Sequence, residues 1–330
     1  MSRFTYGGQA LIEGVLMRGR DAIAVALRAP DGRIVYATER LDSGVHGTRY
    51  SKLPFLRGLV VLYETLIVGT RWLVRSANVQ AQEDDVELGK GSIAVMLLIT
   101  FGVAIAIFSL LPLFISSVAT SGATQGWAQP AVEGLIQVGL FLGYLTLVSR
   151  APDIYRVFQY HGAEHMTIHA LEAGDPLTVD EVRKYPTAHH RCGTEFLVIL
   201  VLLSIFTFSL VGRQAPLVMI GSRFLLIPVL AAVGYEVLRI GARFRRFRLV
   251  RAIMFPGILV QMITTKRPSD DMIEVAITSM QEALVADGNA VPAGSTAFER
   301  APLELPDKSS TADAPDPVTA VRPGEPPATP

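Results

Sequence analysis

The chain has 330 residues, half of them hydrophobic, with 30 basic residues against 30 acidic ones. A net charge of zero argues against a nucleic-acid partner, and a mean hydropathy of +0.38 gathered in long charge-free runs argues against an ordinary soluble enzyme. The only cysteine, Cys192, excludes an intrachain disulfide.

The opening residues, MSRFTYGGQALIEG, have no continuous apolar stretch, so a cleaved signal peptide is not expected. AIAVALRAPDGRIVYATE is two alternating strand-like runs joined by PDG, which predicts a β-hairpin within a small cytoplasmic β-rich unit at 1–50. Residues 53–77 are apolar but carry Arg57, Glu64, Arg71 and Arg75. They read as a helix at the interface or against a bundle, with a fifth membrane span as the alternative. The polar AQEDDVELGKG completes the segment 51–90 as a linker.

Four membrane spans are expected. Ser92–Ile115 lies in a charge-free stretch and is long enough to cross a hydrocarbon core of about 30 Å. Ala131–Ser149 follows, with Glu133 near one end and Arg150 beyond the other. Phe196–Gly212 and Ala215–Leu238 are separated only by RQ and must form a tight antiparallel hairpin. The loop SSVATSGATQGWAQP has no Lys or Arg. The 150–195 connection has Arg150, Arg156, Arg183, Lys184 and Arg191, and RIGARFRRFRLVR follows the fourth span. The positive-inside rule therefore places both termini and the 150–195 loop in the cytoplasm.

Beyond the basic segment, PSDDMIEVAITSMQEAL carries helix-start signals and sets Met272, Ala276, Met280 and Leu284 on one stripe. From Asp287 the chain is rich in Pro, Ala and Thr without periodicity, and a disordered tail is expected. The predicted fold class is an α-helical integral membrane protein of about four transmembrane helices, with a β-rich N-terminal unit and a disordered C-terminal tail. Its divisions are 1–50, 51–90, 91–150, 151–195, 196–240, 241–286 and 287–330.

Chemistry concentrates in the 151–195 loop. Pro152 can start a helix and Gly174 can end it. Between them Ile154, Val157, Phe158, His161, His165, Ile168 and Glu172 share one face. His161 and His165 are i and i+4, so both imidazoles reach one ion. Glu164 completes an H-x-x-E-H order, with the glutamate in the base position of a zincin. Glu172 adds a carboxylate two turns on, whereas His169 lies off that axis. YPTAHHRCGTEF then brings His189, His190, Arg191 and Cys192 to the mouth of the third span, and His189 and Cys192 are both competent ligands. The alternative is structural: histidines bonding at a helix–bilayer junction, and Cys192 as a small buried thiol. Thr178 with Glu181 forms a capping box for a short helix. Inside the spans, Arg223 faces a partner, with Glu133 the candidate, or a water-filled cavity, or it snorkels to the outer surface, and Glu236 is either a further ligand or an interfacial carboxylate.

GGQALIEGVLMRG, FQYHGAEHMTIHALEAG, RKYPTAHHRCGTEFL, GYEVLR and TTKRPSDDMIEVAI occur in that order, and with them residues 5–285 resemble the YqhQ-like family of bacterial membrane proteins. That family is a domain of unknown function taken to be a metal-dependent enzyme. The resemblance implies family positions at Glu13, Met17 and Arg18, at His161, Glu164, His165 and Glu172, at His189, Arg191 and Cys192, and at Tyr235 and Glu236. This chain departs with His190 where the family has Pro, Glu195 where it has Ser and Met166 where it has Lys. His169, His190 and Glu195 are therefore not carried over as site residues.

Three functions follow. The first is a metal-dependent enzyme of hydrolase type with a divalent cofactor, zinc by preference. In it His161 and His165 are ligands, His189, Glu172 or Cys192 is the third, and Glu164 is the base. The second is a non-catalytic scaffold or regulator with structural histidines. The third and weaker is a transporter using Arg223, Glu133 and Glu236. The expected partner in all three is the lipid bilayer.

Overall fold

The computed structural model describes residues 6–41, 53–81, 90–121, 128–189, 192–211, 215–244 and 246–303. Four strands, β1 Gly7–Leu11, β2 Gly14–Arg18, β3 Ala22–Arg28 and β4 Ile34–Arg40, form an antiparallel meander. The β1–β2 turn is Ile12–Glu13, with Glu13 at φ +52°. The β3–β4 turn is the anticipated PDG: Gly32 takes φ +85°, and Asp31 accepts from the Arg33 amide.

The helices follow in chain order. They are α1 Leu56–Ala81, α2 Lys90–Ile105, α3 Leu111–Ala119, α4 Ala128–Val148 and α5 Pro152–Ala173. After the one-turn α6 Val179–Val182 come α7 Gly193–Val211, α8 Pro216–Arg243, α9 Arg248–Thr264 and α10 Asp270–Ala286. A π-helical turn, Ala106–Leu110, joins α2 to α3. Pro112 has no amide to donate, and the helix widens just before it.

The sheet is covered on both faces. Strand alternation sends Ile23, Val25 and Leu27 toward α1, where Trp72 and Val79 are buried with Leu11 and Leu16. The other face presents the small Ala24 and Ala26, with Val15 and Met17, to α5 and α10. Those alanines let α10 approach closely enough for Ser279 Oγ to donate to the Ala24 carbonyl at 3.1 Å. Sandwiched this way, α10 is buried from Met272 to Leu284 except at Glu274, well beyond the single stripe read from its sequence.

The expectation of disorder from Asp287 is corrected for 287–303. Asp287 accepts from the Arg20 and Asp21 amides, and Thr296 donates to the Leu177 carbonyl. β5, Arg300–Pro302, adds to β4 in parallel and completes a five-stranded sheet. Residues 304–330 lie outside the described residues. Proline- and alanine-rich composition masked this strand, because its order comes from packing against β4 and α10 and not from its own periodicity.

Three helices among the described residues are long and apolar enough to cross a membrane: Val95–Ala119, Ala128–Val148 and Gly193–Leu210. The 28-residue α8 returns beside α7, with Gly234 against Phe196. The segment expected at the interface, α1, bridges the two parts. Its far end lies on the sheet, and its start meets α8, where Gly58 gives room for Tyr235 and Arg57 pairs with Glu236. α9, within what read as a basic segment, was not anticipated.

Candidate metal centre

α5 begins at Pro152 and ends where Gly174 adopts the left-handed conformation, as its sequence predicted. Its middle is crossed by the chain leaving α9. Lys266 donates its amide to the Phe158 carbonyl, and a Cβ at Gly162 would lie 2.1 Å from the Lys266 oxygen. Only glycine permits that crossing, which sets the last turn of α9 against His161.

The result is a defined tautomer for both histidines. His161 Nδ1 is 2.9 Å from the Thr264 carbonyl, and His165 Nδ1 is 2.6 Å from the Thr187 carbonyl. A carbonyl only accepts, so each Nδ1 carries a proton, and in the buried, neutral His165 this leaves the lone pair on Nε2. His161 Nε2 points at Cys192 Sγ, 3.1 Å away. Donor atoms of His161, His165 and Cys192 all lie within 4.8 Å of one another. Cys192 immediately precedes α7 and accepts from the Thr194 amide and hydroxyl, at 3.4 and 3.2 Å. These donors favour a thiolate, while burial, the larger effect, pushes the thiol up. Burial also holds His165 neutral, well below the usual imidazole range.

Glu164 sits between the two histidines along the helix but turns toward β1. Its carboxylate accepts from the Gly8 amide, and a Cβ at Gly8 would stand 2.9 Å from it. Burial raises its pKa to about 8. The neighbouring His161 and the Gly8 amide pull the other way, and Cys192 adds to the rise. An acid so placed exchanges its proton near neutrality.

The remaining sequence candidates are elsewhere. His189 is held through its backbone, its amide donating to Gln261 Oε1 and its carbonyl accepting from Gln261 Nε2. Its ring lies 5.7 Å from that of His165 and 4.5 Å from that of His169, and its Nε2 is 3.5 Å from the half-exposed Glu172. His169 has the opposite tautomer, with Nε2 donating to the Ala188 carbonyl. His189 and Glu172 thus adjoin the three-donor group without entering it. Glu13 binds Arg156 at 2.5 Å and accepts from the Tyr160 hydroxyl at 3.2 Å, fastening the β1–β2 turn to α5. Arg18 pairs with Glu64 of α1 at 2.9 Å. Glu236 is engaged by Arg57 and by the Phe55 amide and does not reach the histidines. Arg191 lies outside the described residues, as does the side chain of Arg223. Sequence reasoning missed Gly8, Gly162, Thr187, Gln261 and Thr264. Carbonyl partners have no side-chain signature, but the two glycines lie inside GGQALIEG and HGAEH.

The donor chemistry fits a borderline divalent ion. Two imidazoles and a thiol at a helix start suit zinc, and each imidazole is already oriented by a carbonyl at its Nδ1.

A family model described as "Protein of unknown function (DUF1385)" matches residues 53–286, and the chain belongs to that family. The "Uncharacterized protein YqhQ" of Bacillus subtilis (strain 168) is 33% identical over 292 residues, covering 84% of this chain and 92% of that protein. No solved structure matches.

Proposed function

We propose that this member of the family is a membrane-bound metal-dependent enzyme, hydrolytic in type. His161, His165 and Cys192 hold a divalent ion, zinc by preference, and Glu164 moves the proton. One observation carries the reading. Both histidines commit Nδ1 to a backbone carbonyl, His161 Nε2 points at Cys192 Sγ, and one donor atom from each of the three residues lies within 4.8 Å of the others. Histidines that merely cap a helix end have no reason to share that arrangement.

When bound, such an ion supplies Lewis acidity toward water and toward a carbonyl or phosphoryl oxygen. Three protein donors leave a position for reactants. Glu164, buried and anchored by Gly8, takes and returns a proton close to the donors. Thr194 holds the sulfur as an acceptor. The charge-poor helices α2, α3, α4, α7 and α8 form the membrane part, with both termini and the site on the cytoplasmic side, as the distribution of arginines favours.

The test is elemental analysis of the full chain, purified in detergent from zinc-replete cells. About one ion per chain is expected for wild type and for Glu164→Gln, and none for His161→Ala or Cys192→Ser. Metal-free wild type overturns the reading. Loss of the ion from Glu164→Gln removes the role assigned to that residue.

A further inference from the structure

We propose that α9 is a lipid-surface helix that binds anionic phospholipid headgroups through Arg246, Arg248 and Arg251. Its position comes first. Met254 fills the space left by Gly241 near the end of α8, and Gly257 makes room for Glu195 at the start of α7. At its last turn, the Thr264 carbonyl takes His161 and Gln261 clamps His189. The helix therefore runs along the level at which the apolar helices begin and end.

Its two faces come second. Met254, Gly257, Val260, Gln261 and Thr264 are buried against the protein. Leu249, Ile253, Phe255, Leu259 and Met262 are exposed, an apolar face with no described residue upon it. Charge is the third observation. The three arginines at the helix start are exposed, and none forms an ion pair among the described residues. No acidic residue lies in the first turn. Cations at a helix N-terminus oppose the macrodipole, so this arrangement is unfavourable until an anion neutralises it.

A free anion would satisfy the arginines and leave the apolar face wet. An anionic phospholipid satisfies both, its phosphate at the guanidinium groups and its chains along Leu249, Ile253 and Leu259. The neighbouring α7 and α8 also expose Leu197, Leu202, Leu225 and Ile240, which the lipid must cover if those helices span. The inference rests on the membrane reading and is independent of the metal.

The experiment uses the full chain in detergent micelles, with binding of acyl-labelled phosphatidylglycerol and phosphatidylcholine read by fluorescence anisotropy. Wild type should prefer phosphatidylglycerol, and the preference should fall as salt rises. The triple variant Arg246→Gln/Arg248→Gln/Arg251→Gln should bind phosphatidylglycerol about 100-fold more weakly. The corresponding triple Arg→Lys variant should retain the preference, and glycerol 1-phosphate should not compete. Equal binding of the two lipids by wild type, a salt-independent preference, unchanged binding by the Gln variant, or competition by glycerol 1-phosphate at matched concentration each overturns the proposal. The wild-type salt series decides the matter even if the Gln variant does not fold. Metal content measured on the same samples separates this result from the site: the Gln variant should lose the lipid preference and keep its ion.

Discussion

In β3, the large side chains Ile23, Val25 and Leu27 are all buried against α1. In the helix Val95–Ala119, side chains of the same kind lie outward, with Leu98 75% exposed, Phe101 69% and Phe114 66%. Both stretches are apolar, but only β3 is covered, by α1 on one face and by α5 and α10 on the other. Strand alternation and the stripes of α1 and α5 give the sheet region an inside and an outside. The long helices are apolar all round and would be stable in water only if something covered them. The proposed bilayer supplies that cover, and Arg57 at the start of α1 meets Glu236 of α8. The candidate centre lies where the two regions meet, with His161 and His165 from the sheet side and Cys192 immediately before an apolar helix.

That contrast predicts different responses to truncation. Trp72→Ala, inside the sheet region, should cost about 4 kcal/mol in thermal or denaturant unfolding. Removing one partner of the pair between the regions, Arg57→Ala, should cost roughly 3 kcal/mol because Glu236 stays buried, and the double change to methionines should cost less than the two single changes together. At the centre, Gly162→Ala forces a Cβ onto the Lys266 carbonyl. About 2 kcal/mol of stability should go, along with the bound ion, because the Thr264 support of His161 is displaced. Titration gives a smaller effect with a definite sign. The folded pKa of Glu164 is raised from 4.5 to about 8, so its contribution is complete below pH 4.5 and is lost as pH rises through 8. Chelator-treated wild type should therefore lose melting temperature from pH 5 to pH 8 relative to Glu164→Gln. Leu98→Ala, on the exposed surface of the apolar helix, should shift unfolding in lipid by less than about 0.5 kcal/mol. A cost for Leu98→Ala as large as that for Trp72→Ala would erase the distinction between the regions.

Much of the local structure was legible. The PDG hairpin, the limits of α5 and the start of α10 follow from turn and capping residues. The i, i+4 spacing of His161 and His165 placed both on one face before any contact was known. Other features had no local signal. β5 is held by pairing with β4, and α10 is buried all round because the sheet and α5 close on opposite sides of it. α9 was hidden by the arginines at its start, which read as a cytoplasmic basic run. By its level in the chain Glu236 was either a further ligand or an interfacial carboxylate, and Arg57 of α1 engages it.

By itself, the sequence determined which segments are apolar throughout, which alternate, and that two histidines share a helical face. These are properties of neighbours along the chain and depend on period alone. Tertiary structure decided which of the candidate donors stands beside the two histidines. His189, Glu172 and Cys192 were equally admissible by residue type. Gln261 fixes the backbone of His189 and leaves its ring beside Glu172, whereas α7 begins where Cys192 meets His161. That choice is made by backbone carbonyls and by two glycines that let chains cross, and neither has a periodicity to read.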